Sequence, residues 1–214
     1  MADDRPSPSP RRGRTRRALM DAALRLIISK GVGFSALSLR QVARQAGVVP
    51  TAFYRHFADM DALGLALVDE SFRTLRRMMR EARDVGLPTR QVIRTSMQTY
   101  IHYVLANRAH FRFVVQERIS GSLPIRTAIR QEIRLFVSEL ATDLSRFPML
   151  NNIDAEDLQM LAALVVNNMT AITEQILELP EDDDFEAQQL LRMSEKQTRL
   201  IFLGTTLWQS DRGR

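Results

Sequence analysis

The chain has 214 residues, 45% of them hydrophobic and 26% charged, with a formal net charge of +5 and a pI near 10.3. That length allows one large domain or two small ones with a sizeable core. The lack of cysteine excludes a disulfide framework, thiolate catalysis and thiolate metal sites, and no apolar run reads as long and unbroken enough to span a bilayer. The charge is unevenly spread. Residues 1–57 hold eleven Arg/Lys against three Asp/Glu, and the remainder nineteen against twenty-two. A basic front on a near-neutral body points to a polyanion as the partner of the front.

The chain opens on MADDRPSPSP, rich in Pro, Ser and Asp. A disordered basic tail is expected over residues 1–13, and with no apolar signal region the expected location is the cytoplasm. Arg11, Arg12, Arg14, Arg16 and Arg17 then run into a first helix with an apolar stripe of Ala18, Leu19, Ala22, Ala23, Leu26 and Ile27, ending at Lys30-Gly31. Such a cluster is often just a solvated tail. Next to the motif that follows, Arg14 and Arg16 read as phosphate contacts.

That motif is LSLRQVARQAGVVPTAFYRHF, from Leu37 to Phe57. Ser38 and Gln41 have the spacing of a capping box, and Leu37 with Val42 that of a hydrophobic staple. Leu39, Val42, Ala43 and Ala46 make one apolar helical face. Gly47 suits a left-handed helix stop and Pro50 the first position of the next helix. Phe53 and Phe57 turn inward, which leaves Thr51, Tyr54, Arg55 and His56 outside. Two short helices joined by a Gly-containing turn describe a helix-turn-helix. An ordinary helical hairpin would share the pattern, but Arg40, Tyr54, Arg55 and His56 all donate to phosphate or base edges, and no carboxylate lies among them. A DNA-binding domain is expected over residues 14–57.

From 58 to 214 an effector-binding and dimerisation domain is expected, built of helices alone. One opens at Asp59 or Asp61, buries Leu63, Leu67, Phe72, Leu75 and Met79, and closes near Gly86-Leu87-Pro88. Others are expected over 89–106, 108–119, 124–147, 154–179 and 185–208, separated by Asn107, Gly121, Pro148 and the acidic PEDDD turn. No segment sustains a period of two, so the fold class is all-α, with about nine helices. The last two helices are apolar on more than one face, as a subunit interface requires. Leu161, Val165, Asn168, Leu200, Gly204, Leu207 and Trp208 are its expected residues. A two-fold dimer would set two recognition helices roughly 34 Å apart on a pseudo-palindromic duplex.

An enzyme is the first rival reading. His102 and His110 fall on different helices, with no carboxylate to complete a metal or triad pattern, and no Gly-rich phosphate loop occurs. No catalytic residue and no metal ligand is therefore assigned. An architectural DNA protein, the second rival, would have no use for so large an apolar body.

The motif, with MDAALRLIISKG before it, resembles the TetR family of transcriptional regulators, through Ala43, Ala46, Gly47, Val48, Tyr54, His56 and Phe57. The resemblance implies an all-α homodimer joined through its last two helices, with an effector pocket in each body. It also implies Arg40 at base edges, and Ser38, Tyr54 and His56 on phosphates. Val49 departs from the usual capping Ser or Thr, and Met60 from a phosphate-binding Lys. PTAFYRHFADMDALGLALVDE and FRFVVQERISGSLPIRTAIRQEI are further similar to the FabR/DesT subgroup of repressors of unsaturated fatty acid synthesis, which implies a long-chain acyl-CoA or similar acyl thioester as effector. The other option within the family is a sensor of a different hydrophobic molecule such as a drug. A cationic drug would call for carboxylates beside aromatics, whereas the middle of this body is rich in arginine.

For an acyl-CoA, Arg126 and Arg130 lie in the first turns of the helix begun at Pro124. Cations there oppose the helix dipole until an anion joins them. Arg118 is placed to join the cluster, unless Glu117 and Glu132 satisfy these arginines internally. Tyr100, Tyr103, Phe111, Val115, Phe136 and Leu140 are spaced to line a channel for the chain, and would equally suit a plain core.

Overall fold

The computed structural model describes residues 10–84, 92–180 and 184–210, with side chains described over 13–77, 93–180 and 185–210. These residues form nine α-helices and two 3-10 turns, with no strand among them. The helices are α1 (Pro10–Lys30), α2 (Leu39–Gln45), α3 (Pro50–Phe53), α4 (Met60–Asp84), α5 (Val92–Ala106), α6 (Arg108–Ser120), α7 (Leu123–Leu144), α8 (Ala155–Glu178) and α9 (Asp184–Gly204). The all-α expectation is met. The expected tail over 1–9 and the close at Gly86-Leu87-Pro88 lie outside the described residues.

Several boundaries differ from expectation for local reasons. Helix α1 begins at Pro10, so residues 10–13 are helical instead of tail. Proline is well suited to a first turn, and arginine is a good helix former. Regular α3 stops at Phe53, and the chain continues in tight turns to Phe57 through bonds such as His56 N–H to Phe53 C=O at 2.8 Å. Asp59 Oδ1 accepts the Ala62 N–H at 2.7 Å, which settles which aspartate caps α4. Helix α7 gives way after Leu144, ahead of the 3-10 turn at Pro148–Leu150.

Contacts divide the chain into two compact units, residues 1–71 with 112–129, and residues 72–111 with 130–214. The first unit runs past residue 57 and takes in residues 112–129. The reason is packing. Phe34, in the turn before α2, meets Phe113 of α6 edge to face at 5.5 Å, and both rings are buried. The same core includes Leu19, Ala22, Ala23, Ile27, Val42, Phe53 and Leu63, which the sequence had placed inward, and Ile125 and Ile129 of α7.

The second unit packs α8 against α9 and α5. Leu161 and Ala162 of α8 join Ala141, Leu144, Leu150 and Leu158 in one core cluster, with Leu140 and Phe202 against it. By length and a mean hydropathy of 1.3, α8 is after all long enough and apolar enough to cross a membrane. Its buried row from Leu158 to Leu177 includes the polar Thr173 and packs within the chain. Its last carbonyls, which lack intrahelical donors, receive the Arg108 guanidinium. Nη2 donates to Ile176 O at 3.2 Å and to Leu179 O, a cation at the negative end of the helix.

Candidate functional site

The helix-turn-helix is built by its own sequence. Ser38 Oγ accepts the Gln41 N–H at 3.3 Å, and Gln41 Oε1 accepts the Ser38 N–H at 2.8 Å, so the capping box is complete. Leu37 and Val42 are both buried, as a staple requires. After Ala46 the chain turns through Gly47 at φ +70°, a conformation that penalises any side chain. Pro50 opens α3, and its N-cap Val49 makes no side-chain cap. Val49 is 64% exposed, so the departure from a capping Ser or Thr leaves an apolar side chain facing out.

With Phe53 and Phe57 buried, Pro50, Thr51, Tyr54 and Arg55 are exposed and His56 is half-buried. Arg40 is exposed on α2, and Arg14 and Arg16 on α1. Arg16 is brought to the motif by its guanidinium, 4.9 Å over the Phe57 ring. That contact gives a reason for its place which charge counting had missed. Ser38 also donates its hydroxyl hydrogen to Gln41 Oε1 at 3.1 Å, so a contact from Ser38 to a phosphate has to replace that bond. Arg17 pairs with Glu70 at 3.5 Å. The resulting surface carries guanidiniums, hydroxyls and amides around a short helix and fits a polyanion.

In the second unit three of the expected effector residues come together. The Phe111 ring meets Tyr103 edge-on at 5.6 Å and Tyr100 at 6.1 Å. Tyr100 OH lies 2.6 Å from Thr173 Oγ1, and the Thr173 hydroxyl donates to Met169 O at 2.8 Å. With that hydrogen committed, Tyr100 is the donor of the pair. Burial pushes the Tyr100 hydroxyl up to about 12, with the Thr173 bond acting the other way. Thr173 was missed in the sequence. The available signal was a hydroxyl four residues from Met169 and three before Ile176, inside an otherwise apolar stripe. Phe136 and Leu140 belong to this unit as well, both half-buried.

Val115, Arg118 and Arg126 belong to the first unit and Arg130 to the second. Arg126 Nη1 donates to Gly121 O at 3.1 Å, and Glu132 is paired with Arg76. Glu117 is fully buried and accepts backbone N–H groups of Ser35 and Phe34. Burial pushes its carboxyl above the usual range, and those two N–H groups pull it back in part. Neither carboxylate behaves as the dedicated partner of Arg126 that the sequence allowed.

The expected interface residues divide. Leu161 and Val165 are buried within this chain's own fold. The pattern showed that α8 is apolar on more than one face, but not which face its own chain covers. The outward apolar residues of α8 are Met160 and Leu164, and those of α9 and beyond are Phe185, Met193, Leu200, Leu203, Leu207 and Trp208. Asn168 is half-buried, with Nδ2 enclosed and no partner for it among the described residues. Gly204 faces open space. Trp208, half exposed, donates its indole N–H to Asp157 Oδ2 at 2.7 Å.

Comparison with known proteins agrees with this geometry. Residues 19–67 match the family model for bacterial regulatory proteins of the tetR family, and residues 89–204 match that of a tetracyclin repressor-like C-terminal domain. Among solved structures, the fatty acid degradation regulator FadR from Bacillus halodurans superposes with a TM-score of 0.70 at 12% identity, over 89% of this chain and 95% of that one. FadR from Bacillus subtilis, solved in complex with stearoyl-CoA, gives 0.63 at 13%, over 86% and 96%. AibR, in complex with isovaleryl coenzyme A and operator DNA, gives 0.64 at 17%, over 85% and 96%. At these identities the likeness is one of fold.

Proposed function

Since the chain belongs to the TetR family of bacterial regulatory proteins, and is thereby a DNA-binding transcriptional regulator and not an enzyme, we propose that it is a homodimeric repressor that senses a long-chain acyl thioester. The observation that carries the effector half is the aromatic group of Tyr100, Tyr103 and Phe111 with the Tyr100–Thr173 hydroxyl pair beside it. A few hydroxyls set among aromatic side chains suit a ligand with one polar carbonyl and a long apolar tail. Each buried CH₂ contributes about 0.8 kcal/mol, so long chains bind better than short ones. Acyl-CoA ligands bound to FadR of Bacillus subtilis and to AibR support the class. Control of unsaturated fatty acid synthesis rests on the resemblance of the α3–α4 and α6–α7 segments to the FabR/DesT subgroup. Arg118, Arg126 and Arg130 are the cations proposed for the coenzyme phosphates. Arg126 has five N–H donors and uses one on Gly121 O.

The DNA-reading residues proposed are Arg40 on base edges, Pro50 and Thr51 at the start of α3, and Arg14, Arg16, Ser38, Tyr54, Arg55 and His56 on the backbone. The proposed two-fold interface uses the outward row of Leu200, Leu203 and Leu207 with Met160 and Leu164. Operator DNA as the partner supports a cytoplasmic location.

The test starts from a duplex selected by the protein out of a randomised library. Binding to that duplex is titrated with palmitoyl-CoA, oleoyl-CoA and free CoA, for the wild type and Arg126→Ala. A shift by either acyl-CoA and none by CoA supports the reading. No shift with any of the three overturns the effector assignment, and equal response of the variant removes only the arginine.

A further inference from the structure

Glu117 does more than fill space. It is the one fully buried acidic side chain among the described residues, and it lies in the same compact unit as the DNA-binding motif. Its Oε1 accepts the Ser35 N–H at 3.4 Å, across 82 residues of sequence, and the carboxylate also accepts from the Phe34 N–H. Oε2 is buried without a partner. Two glycines make room for the group. A Cβ at Gly33 would stand 2.9 Å from Oε1, and one at Gly121 would stand 3.0 Å from Oε2 and 2.5 Å from the Glu117 carbonyl. Burying a carboxyl this deeply costs free energy, and an apolar side chain would have filled the space without that cost. What the carboxyl supplies is an acceptor for two backbone donors at one place.

That place is the entry to the motif. Gly33 to Leu37 is a 3-10 turn closed by Ala36 N–H to Gly33 O at 3.1 Å and Leu37 N–H to Phe34 O at 2.9 Å. The next residue is Ser38, the N-cap whose box starts α2. Fixing Phe34 and Ser35 therefore fixes where α2 begins, and through the tight Gly47 turn where α3 begins. The Phe34–Phe113 contact is apolar and has little directional preference, whereas hydrogen bonds are directional. We propose that Glu117 is a positioning residue for sequence-specific DNA binding, its carboxyl oxygen pinning the Phe34–Ser35 backbone and hence the register of the helix-turn-helix. The inference rests on the DNA-binding reading of the motif. It concerns α6 as a part of the DNA-reading unit and assigns Glu117 no contact with DNA or effector.

The experiment uses the full-length protein and the duplex it selects from a randomised library. Affinity for that duplex and for a random one is measured well below the melting temperature of each variant. Glu117→Leu keeps the volume and removes the acceptor. It is expected to lower affinity for the selected duplex about tenfold, the equivalent of one hydrogen bond to a charged group, and to change random-duplex affinity less than twofold. Glu117→Gln keeps an oxygen facing the two N–H groups and is expected to stay within about twofold of wild type. Gly33→Ala is expected to weaken selected-duplex binding when Glu117 is present and to add no loss in Glu117→Ala, where the methyl has room. Equal binding by Glu117→Leu and wild type overturns the proposal, as does a Gln variant no better than Leu, or a Gly33→Ala loss that persists in the Glu117→Ala background. If the wild type enriches no sequence, the DNA-binding reading itself falls.

Discussion

Helices α2 and α3 and helices α8 and α9 treat solvent in opposite ways. The first pair is seven and four residues long and buries Val42, Ala43 and Phe53, and its exposed surface carries Arg40, Thr51 and Tyr54. The second pair is twenty-four and twenty-one residues long, and with its inner face satisfied it still exposes Leu164, Leu200 and Leu203. A short element whose apolar rings turn inward presents a mostly polar outer face and is complementary to a polyanion. A long apolar element with a greasy outer row is unfinished, and only another apolar surface completes it.

The sharpest way to break this contrast is to attack the buried side of the DNA-binding unit. Phe113→Ala empties a fully buried ring site beside Phe34 and is expected to cost about 3–5 kcal/mol of stability, read by urea unfolding. A loss below about 1 kcal/mol would mean that Phe113 does not hold the turn. The outer row of α9 is tested next. Leu200→Glu with Leu203→Glu is expected to weaken the dimer by about 3 kcal/mol, over a hundredfold in its dissociation constant, and to leave the protomer's helicity intact. Sedimentation of the double variant at the wild-type mass would place the interface elsewhere. Leu161→Ala, by contrast, should lower the melting temperature and leave association alone.

What the sequence disclosed followed the same divide. Ser38, Gln41, Gly47 and Pro50 act on partners within a turn of themselves, so the capping box and the left-handed stop were readable and are present. Phe53 and Phe57 followed from spacing. Partners far along the chain were not readable. Glu117 reaches Ser35 and Arg108 reaches Ile176 only because tertiary packing brings them there, and Glu117 read equally well as a partner for nearby arginines. On α8, periodicity put Leu161 on the main apolar face and Leu164 on its extension round the helix, but it could not tell which of the two α7 and α9 would cover. For the same reason the sequence could not show that residues 112–129 join the first compact unit by contact and not by adjacency.

The outer face of α2 and α3 is itself divided, and Arg40 tests the division. A bidentate base contact discriminates between bases by about 1–3 kcal/mol, and a phosphate contact discriminates not at all. Arg40→Ala is expected to flatten the sequence preference at one position of each half-site. Tyr54→Phe is expected to weaken every duplex alike and to leave the preference unchanged. Equal losses on selected and random duplexes for Arg40→Ala would move Arg40 to the phosphate group.

The smallest effect sharpens the other side of the contrast, where a local polar bond sits beside the apolar row. Trp208, the chain's one tryptophan, donates to Asp157 at 2.7 Å, and Ser210 Oγ accepts the Asp154 N–H at 3.0 Å. Hydrogen bonds from Ser210 and then from Trp208 hold the Asp157 carboxyl below the usual aspartate range. A group whose folded pKa is lowered binds its proton less readily when folded than when unfolded. Its stabilising effect is therefore present above the ordinary aspartate value of about 3.9 and disappears as pH falls through the lowered one. Because the carboxylate is exposed, the effect on global stability is small, and the readout is local. Tryptophan emission of the wild type is expected to shift with a midpoint below about 3.9, while Asp157→Asn, which keeps an acceptor but no titrating proton, shows no such step. A wild-type midpoint at or above the ordinary value would mean that Trp208 and Ser210 are not bound to the start of α8 in solution, and that Trp208 is free to serve the interface instead.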